Sequence, residues 1–480
     1  MHTHTHTQTQ THTQIPPREQ VSAPRNEELL FLLLAGARPL AGGARHSLHG
    51  VDEVVFGRGR ARAFAQRGTA LHVELPDPLV SSKHARLTRE GGKYRVVDEG
   101  SRNGLWTSAG RVSAVLLSEG DWFQIGSTVL MARTAVVSDE LVALVESSTL
   151  AGRAYGFATL VPEYAEQLTA VAVVAASELS ILLLGESGTG KEVLAQGIHR
   201  MSARTGPLVA VNCGALPPNL IEAQLFGHAK GAFTGAVKDE PGFVVRAHEG
   251  TLFLDEVGEL TAPAQAALLR FLETKEVVAV GSSRVQRVDV RILSATLKPA
   301  AALRPDLVAR LSGYVHRLAP LRSRIEDLGL LVSELLPRGA PALAPNASLA
   351  PDACRRLVSY AWPMNVRELL QALTSGALLA ASTGSSAIEA RHLPLHLKEP
   401  DAASEAHARS SLTGPLVIKP ARRLLGQQQE QLVALLGRHD GNVTKVARDL
   451  GITRTQVHRW IEKLHLDLNS FRGAGRPSRE

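Results

Sequence analysis

The feature that most constrains this chain is an apolar run followed directly by a glycine-rich loop. Residues 181–184 read ILLL and lead into GESGTGKE, after which the helix-type pattern VLAQGIHRM begins. Glycines let backbone N–H groups turn inward around phosphate oxygens, and the helix N-terminus adds a positive dipole. This order predicts a nucleotide-binding P-loop, in which the lysine reaches the terminal phosphates. Its residues are Gly185, Glu186, Ser187, Gly188, Thr189, Gly190, Lys191 and Glu192.

A second apolar run, residues 251–254, ends in two acids, Asp255 and Glu256. Such a run is typical of a buried central strand, and carboxylates at its C-terminal end face the crevice where ligands bind. We expect Asp255 to hold Mg²⁺ and Glu256 to act on the attacking water as a general base. An acidic pair that caps a helix is the alternative.

The hydrophobic pattern divides the chain, whose 480 residues suggest about three domains. Residues 29–135 show short alternating runs broken by glycine pairs, which predicts an all-β sandwich with strands that include 94–97 and 112–117. Residues 150–396 alternate short apolar runs with helical stretches, which predicts an α/β domain with a parallel sheet. Its expected strands are 181–184, 208–211, 251–254 and 290–294.

The remaining segments have biased compositions. Residues 1–26 are dominated by His, Thr and Gln and are expected to be a disordered tail. Residues 397–415 are rich in Ala, Ser, Glu and Pro, as in a linker. Residues 471–480 form a second tail. The histidines of the N-terminal tail could bind a metal, although a solvated segment is the simpler interpretation. The threonines of that tail could be phosphorylated.

The charge is concentrated near the C-terminus. The chain carries 53 Lys and Arg against 46 Asp and Glu, and residues 416–480 alone hold 12 against 6. A basic terminal segment is typical of a partner with a phosphate backbone, and a solvated tail is the alternative. We expect a cytoplasmic protein without a membrane partner, for three reasons. The two cysteines are distant in sequence, no apolar run reaches about 18 residues, and the first residues lack a signal-peptide core.

Residues 416–470 predict an all-α helix-turn-helix. Val443, Val446 and Leu450 share one helix face, Gly451 fits the turn, and residues 454–464 form a third helix suited to the major groove. A charged bundle that only dimerises is the alternative. The side chains expected to contact DNA are Arg454, Thr455, Gln456, His458, Arg459 and Lys463.

Residues 185–370 resemble the AAA+ domain of sigma-54-dependent transcriptional activators, the bacterial enhancer-binding proteins. The resemblance rests on LFGHAKGAFTGA at residues 225–236, followed in order by GTLFLDEVGEL, VDVRILSAT, LRPDLVARL and AWPMNVREL. It implies ATP hydrolysis with Mg²⁺ and a helical lid from about residue 321. It also implies that a loop contacts sigma-54, with Phe233 and Thr234 at its tip. That loop comprises Gly231, Ala232, Phe233, Thr234, Gly235 and Ala236.

The resemblance assigns further roles around the nucleotide. Asn212 matches the switch residue that holds the catalytic glutamate, Thr296 falls at sensor I, and Arg367 matches sensor II in the lid. Arg304 and Arg310 match arginine fingers that reach the ATP of a neighbouring subunit, which implies a homo-oligomeric ring, usually a hexamer. One position departs from the family pattern, because Leu297 replaces the usual asparagine after Thr296.

The N-terminal sandwich resembles a forkhead-associated (FHA) domain, and the C-terminal segment a Fis-type domain. Arg58, Ser81 and Asn103 fall in loops between predicted strands, where Arg and Ser can bind a phosphate and Asn an extended peptide. The resemblance implies that Arg58, Ser81 and Ser82 surround a phosphothreonine and that Asn103 holds the peptide backbone. His84 is expected to be a structural brace. A domain kept for docking alone is the alternative.

Together these features predict a transcriptional regulator that binds enhancer DNA and hydrolyses ATP to remodel sigma-54 RNA polymerase. The FHA domain would receive a phosphothreonine signal from a Ser/Thr kinase pathway, or from the chain's own phosphorylated N-terminal tail. Two alternatives stay open. The chain could be a non-hydrolysing DNA-binding adaptor, uncoupled by Leu297, or an AAA+ remodeller of another target.

Overall fold

We describe the fold from a computed structural model, whose described residues are 25–137, 142–297, 303–385, 387–397 and a few positions between 436 and 446. The chain divides into two compact units, residues 1–406 and 407–480, each considered by itself. The predicted tails and the linker lie almost entirely outside the described residues.

The first part of unit one is a β-sandwich, as the alternating pattern predicts. Its strands are β1 (Arg25–Ala35), β2 (Ala44–Ser47), β3 (Glu53–Arg58), β4 (Ala63–Arg67), β5 (Ala70–Leu75), β6 (Ala85–Glu90), β7 (Lys93–Asp98), β8 (Leu105–Thr107), β9 (Gly110–Val112), β10 (Ala114–Leu117), β11 (Trp122–Ile125), β12 (Thr128–Val137) and β13 (Leu144–Glu146).

Two sheets form this sandwich. One has the order β13-β2-β1-β12-β11-β8-β9 and the other β10-β7-β6-β3-β5-β4. The prediction of one strand over residues 112–117 is wrong: β9 ends at Val112 and pairs with β8, while β10 starts at Ala114 and pairs with β7 in the other sheet. The chain crosses between sheets at Ser113, a change of partner that the local apolar pattern does not encode.

The α/β part that follows has a fully parallel central sheet in the order β15-β18-β21-β14-β22. The predicted strands at 181–184, 208–211, 251–254 and 290–294 are confirmed within about one residue at most ends. The elements are α1 (Pro162–Ala175), β14 (Ile181–Leu184), α2 (Lys191–Met201), β15 (Leu208–Asn212), α3 (Ile221–Phe226), β16 (Gly227–His228), β17 (Glu240–Pro241), α4 (Phe243–Arg246), β18 (Thr251–Asp255), α5 (Ala262–Thr274), β19 (Glu276–Val278), β20 (Val285–Arg287), β21 (Arg291–Thr296), α6 (Pro305–Leu311) and β22 (Tyr314–Arg317).

A helical subdomain, here called the lid (residues 321–397), completes unit one. It contains α7 (Leu328–Gly339), β23 (Ser348–Leu349), α8 (Pro351–Ser359), α9 (Asn365–Ser382) and β24 (Ala387–Ile388). Helix α8 begins with Pro351 at its first position, where the missing N–H has no intrahelical partner to lose. Helix α9 buries Leu369, Leu373 and Ala377 at helical spacing, as expected for one apolar face.

The sandwich and the lid share one hydrophobic core. Strand β1 buries six consecutive residues, 29–34, and the side chains alternate between two environments. Leu30 and Leu32 belong to the sandwich interior, whereas Leu29, Phe31 and Leu33 pack with residues of α7, α8 and α9. Because a strand presents successive side chains to opposite faces, β1 is buried on both sides, and the lid covers the outer face of the sheet.

Close backbone approaches and buried ion pairs reinforce this contact. The amide of Leu349 donates to the carbonyl of Gly36 at 2.8 Å, and a side chain at Gly36 would collide with Cys354 and Leu349. Arg133 on β12 pairs with Glu326 at the lid entrance and with Glu163 on α1, at 3.2 Å for the latter. The sandwich is therefore built into unit one.

In the second unit, the described positions agree with the predicted helix pattern. Leu436, Val443 and Val446 are buried and helical. None of the helices in the described part of the chain is both long and apolar enough to cross a membrane.

Candidate nucleotide site and associated loops

The predicted P-loop lies between β14 and α2. Gly188 and Gly190 have φ values of +74° and +104°, a region that favours glycine. Lys191 is 8 % exposed, and its Nζ donates to the carbonyls of Gly185 and Glu186 at 3.0 Å each. Burial lowers the pKa of Lys191, against the opposing effect of Asp255 and Glu256. The loop therefore holds a partly desolvated ammonium where phosphate oxygens could replace the two carbonyls.

Acidic and polar residues follow the neighbouring strands. Asp255 ends β18 directly opposite Asn212 on β15, and Thr296 ends β21 opposite Leu184 on β14. Parallel strands bring these ends to one edge of the sheet, beside the P-loop. Glu256 follows with φ = +53°, an unusual backbone for a non-glycine residue and one that marks functional sites. The structure thus brings together the residues predicted to act on the nucleotide.

Asn212 does not hold the Glu256 carboxylate through any contact found among the described residues. Its Oδ1 accepts hydrogen bonds from the amides of Gly214 and Ala215, at 2.8 and 3.2 Å. A Cβ built on Gly214 would meet both this oxygen and the Glu256 carboxylate, so the two side chains flank the same glycine. The switch role of Asn212 stays a prediction.

The lid contacts the P-loop through α9. The amide of Val366 donates to the carbonyl of Gly188 at 3.0 Å, and Nη1 of Arg367 donates to Oγ of Ser187 at 3.1 Å. The Arg367 contact agrees with its predicted position in the lid over the nucleotide. A side chain at Gly188 would collide with the carbonyl of Met364, so this approach requires glycine.

Asn365 is a residue of this contact that sequence reasoning missed. It is fully buried with φ = +55°, and its Nδ2 donates to the Ser187 carbonyl at 3.0 Å and to the Glu186 carboxylate at 3.2 Å. Its Oδ1 accepts from the amide of Leu321 at 2.8 Å. An asparagine just before the predicted sensor arginine was the available signal, since Asn tolerates a left-handed backbone.

Two arginines of the lid entrance were also missed. Arg322 forms a bidentate pair with Glu186 at 2.8 and 2.6 Å, which lowers the pKa of that carboxyl. Arg324 donates to the carbonyl of Thr189 at 3.2 Å. Both join the lid to the loop that is expected to carry phosphates.

The predicted arginine fingers lie on the surface. Arg304 precedes α6 and pairs with Asp306 at 2.7 Å, and Arg310 lies 3.6 Å from Glu273; the two arginine side chains are 47 and 57 % exposed. Within this chain they pair with acids of their own neighbourhood, and among the described residues neither contacts the P-loop. Both guanidinium groups therefore lie at the surface, and their role as fingers stays a prediction.

The loop predicted to contact sigma-54 is a compact turn. The amide of Gly231 donates to the carbonyl of Ala236 at 2.8 Å, which closes the loop on itself, and Thr234 is exposed. Phe233 is half-buried, with its ring 4.9 Å from that of His228, so its predicted place at the contact tip stays a prediction. The exposed apolar side chain here is Val237, at 79 %.

The predicted phosphopeptide residues gather at one end of the sandwich. Arg58 is exposed at the end of β3, and the Ser81 carbonyl accepts from its amide at 2.9 Å. Oγ of Ser81 accepts from the Arg102 amide at 3.2 Å, Ser82 is exposed, and Nδ2 of Asn103 donates to the Leu79 carbonyl at 2.6 Å. These contacts bring the 81–82 and 101–103 loops beside Arg58.

His84 supports these loops from beneath, which confirms its prediction as a brace. It is fully buried, its Nδ1 accepts from the Ser81 amide at 3.0 Å, and its Nε2 lies 3.2 Å from the Gly104 carbonyl. Burial lowers the pKa of His84, so it stays neutral with the proton on Nε2.

The six residues predicted to read DNA, at positions 454–463, lie outside the described residues. The P-loop follows β14 of a parallel sheet, acids follow β18, which is separated from β14 by β21, and a helical lid contacts the loop. These features define a protein of the AAA+ P-loop class, here fused to a β-sandwich.

Four family profiles match the chain. They are the sigma-54 interaction domain at residues 159–315, the AAA+ ATPase lid domain at 322–410, the FHA domain at 54–126 and the Fis family of bacterial regulatory proteins at 427–464.

Curated relatives agree with these matches. The chain is 41 % identical to the nitric oxide reductase transcription regulator NorR1 of Cupriavidus necator, over 61 % of this chain and 60 % of that protein. It is 39 % identical to the transcriptional regulatory protein ZraR of Escherichia coli, over 64 % of this chain and 69 % of that one. A crystal structure of NtrX from Brucella abortus with ADP is 28 % identical, with a TM-score of 0.45, over 63 and 68 % of the two chains.

The chain belongs to the family of sigma-54-dependent transcriptional regulators, with an FHA domain and a Fis-type helix-turn-helix. The match spans less than two thirds of the Cupriavidus relative.

Proposed function

We propose that this protein is an ATP-hydrolysing transcriptional activator that remodels sigma-54 RNA polymerase. The observation that carries the proposal is that Asp255 and Glu256 end a strand of the sheet that carries the P-loop, where both act electrostatically on Lys191, while the lid contacts the loop. A buried ammonium next to strand-end carboxylates is the arrangement that phosphoryl transfer needs, because the chemistry depends on positioning and on charge stabilisation. The domains would follow the predicted bounds, with a linker at 397–415.

In this proposal, ATP is the substrate and binds with its phosphates in the loop at 185–192. Lys191 stabilises the developing charge, Glu256 orients the attacking water and accepts its proton, and Arg367 reports on the nucleotide from the lid. The carboxylate of Asp255, a hard oxygen donor, suits Mg²⁺, which supplies charge neutralisation on the phosphates when bound. Asn212 and Thr296 would sense the nucleotide state.

Arg304 and Arg310 would act in the neighbouring subunit. Their exposure, and their pairing with acids outside the P-loop, support a ring in which each subunit supplies arginines to the next site. An arginine supplied in this way is worth about 10³–10⁵ in rate. We therefore propose a homo-oligomer, with a hexamer as the expected size.

The loop at 231–236 would contact sigma-54. Thr234 is exposed, and Phe233 would leave His228 to reach the partner. Enhancer DNA would bind to Arg454, Thr455, Gln456, His458, Arg459 and Lys463, with Lys463 directed to phosphate.

Promoter opening tests this function. Purified protein is mixed with sigma-54 RNA polymerase, promoter DNA and ATP, beside a Thr234→Ala variant. We expect ATP-dependent opening by the natural chain and loss of opening, with ATP turnover retained, in the variant. Turnover without opening in the natural chain would favour another remodelling target. Absence of both, with DNA binding intact, would favour the non-hydrolysing adaptor, for which Leu297 is the supporting observation.

We propose that phosphothreonine binding controls this activity through Arg58, Ser81, Ser82 and Asn103. The exposed guanidinium of Arg58 beside two loop serines supports a phosphate ligand. The natural chain should bind a phosphothreonine peptide library but not its unphosphorylated counterpart, and Arg58→Ala should abolish that binding. Equal binding of both libraries would favour a docking domain instead.

A further inference from the structure

The peptide-binding end of the FHA domain touches the ATPase lid at one identifiable place. Strand β8 carries Trp106 just after the loop that holds Asn103, and Nε1 of Trp106 donates to the Asn103 carbonyl at 3.1 Å. The guanidinium carbon of Arg355, on lid helix α8, lies 4.4 Å from the centroid of the Trp106 ring. This is a cation–π contact at short range.

Arg355 is fixed in this position by a second contact with the sandwich. Its Nη1 donates to Oε1 of Gln124 at 2.8 Å, and Nε2 of Gln124 donates to the carbonyl of Pro351 at 2.9 Å. Gln124 is fully buried and lies directly opposite Trp106 across the β8–β11 pair. The first half of α8 is thus bonded to β11 and stacked on β8, the strand that directly follows the predicted peptide loop.

The other end of the same lid segment reaches the P-loop. The indole of Trp362, fully buried after α8, donates to the Leu357 carbonyl at 3.0 Å, and the Asn365 amide donates to the Trp362 carbonyl at 2.8 Å. Asn365 then contacts the Ser187 carbonyl. Helix α8 therefore contacts Trp106, which is bonded to Asn103, and its chain continues into a turn that contacts the phosphate loop.

We propose that Arg355 couples the FHA domain to the nucleotide site, so that phosphothreonine peptide and nucleotide change each other's affinity. The inference rests on the proposed function of both sites. A peptide held by the Asn103 side chain shifts the backbone of that residue. Because the Asn103 carbonyl is bonded to the Trp106 indole, the shift reaches Trp106 and the Arg355 guanidinium stacked over it. The shared hydrophobic core transmits the shift, because packed interiors move as units and do not absorb it locally. Arg355 acts as a positioning residue, and the test measures the coupling between the two ligands directly.

The test is a thermodynamic cycle on the full chain. The affinity for a fluorescent ADP analogue is measured with and without a degenerate phosphothreonine peptide library, and the unphosphorylated library serves as a blank. Coupling is reciprocal, so the library's affinity must change with ADP by the same factor. We expect a factor of about five or more in the natural chain.

Two variants of Arg355 are compared with a matched control on the same helix. Arg355→Ala removes the stacked guanidinium. Arg355→Lys keeps the charge, but an ammonium cannot stack on Trp106 and bond Gln124 at the same time. Both should reduce the factor to less than about two while each ligand alone binds as before. Arg356→Ala, which removes a side chain bonded to the Leu397 carbonyl within the lid, should keep the factor.

The outcomes separate the coupling from the function on which it rests. A natural chain that binds both ligands without mutual effect overturns the coupling alone, as does an Arg355→Lys variant with the full factor. A natural chain that binds neither library nor nucleotide overturns the proposed function, and the coupling with it. Loss of the factor in Arg356→Ala as well as in Arg355→Lys would contradict the assignment to Arg355.

Discussion

The side-chain amide of Asn365 donates to the Ser187 carbonyl at 3.0 Å, so a buried lid residue is bonded directly to the backbone of the P-loop. The same side chain accepts from the Leu321 amide, and its backbone is held at φ = +55°. One residue therefore joins the lid entrance, the start of α9 and the phosphate loop, and it does so in a conformation that few residue types adopt.

Substitution of Asn365 should weaken nucleotide binding. Asn365→Gly keeps the left-handed backbone but loses the amide, which leaves a buried Leu321 N–H unpaired at a cost of about 1–3 kcal/mol. Asn365→Ala loses the amide and adds backbone strain of about 1–2 kcal/mol. ADP affinity, from calorimetric titration, and the unfolding temperature should both be highest in the natural chain, lower in Asn365→Gly and lowest in Asn365→Ala. Equal ADP affinity in all three would contradict the assigned role.

The shared core makes a second prediction. Phe31 is fully buried among lid residues, and Phe31→Ala should cost about 3–5 kcal/mol because it removes a large ring and leaves a cavity. Hydrogen exchange should accelerate in α7 and α9 of the lid as well as in β1, while β14 and β18 are unaffected. Leu116→Ala, at a 49 % exposed position on the other sheet, is the control and should change neither. Acceleration confined to the sandwich would contradict a common core.

Much of this architecture could be predicted from sequence because its signals are local. Residues 181–192 encode a strand, a turn and a helix start within 12 positions, and the strand at 251–255 is a continuous apolar run that ends in acids. Both predictions agree with the structure, and so does the clustering of Arg58, Ser81 and Asn103 around a buried His84. The first two depend on neighbours close in sequence, whereas the phosphopeptide residues are distant in sequence and were assigned through the resemblance to FHA domains.

The contact between sandwich and lid was not predicted, although one signal was present. The run LLFLLL at residues 29–34 is apolar on both strand faces, which requires cover on both sides, yet in the sequence it indicated only that the segment was too short to span a membrane. What covers the second face lies about 300 residues away. Asn365 and Arg355 were missed for the same reason, since their roles depend on tertiary neighbours.

A buried histidine predicts a pH dependence. His316 on β22 is 2 % exposed, its ring centroid lies 6.0 Å from that of Tyr164, and burial together with Arg324 lowers its pKa from 6.5 to about 4. Between pH 6.5 and 4, the imidazole is protonated in the unfolded chain but not in the folded chain. The contribution of His316 to stability is therefore full above pH 6.5 and is lost as the pH falls toward 4.

The measurement compares the free energy of unfolding in urea at pH 7.5 and 5.5. The loss between these values should be smaller in His316→Phe than in the natural chain by about 1.4 kcal/mol, the equivalent of one pH unit. His49→Phe, at a side chain that is 88 % exposed, should keep the full loss. An unchanged loss in His316→Phe would show that other groups carry the pH dependence.

Leu297 provides the last prediction. It directly follows the buried Thr296 at the end of β21 and is 50 % exposed, an apolar side chain at the edge of the sheet where the P-loop lies. A leucine there cannot donate a hydrogen bond to water or phosphate, whereas an asparagine can. Leu297→Asn should therefore raise ATP turnover about tenfold, which corresponds to one hydrogen bond of about 1.4 kcal/mol in the transition state. Leu297→Ala removes the leucine without adding an amide, so it distinguishes the two effects, and it should leave ATP turnover unchanged. An equal rise in both variants would mean that the leucine acts by obstruction, and turnover that appears only with asparagine would make the natural chain the non-hydrolysing adaptor.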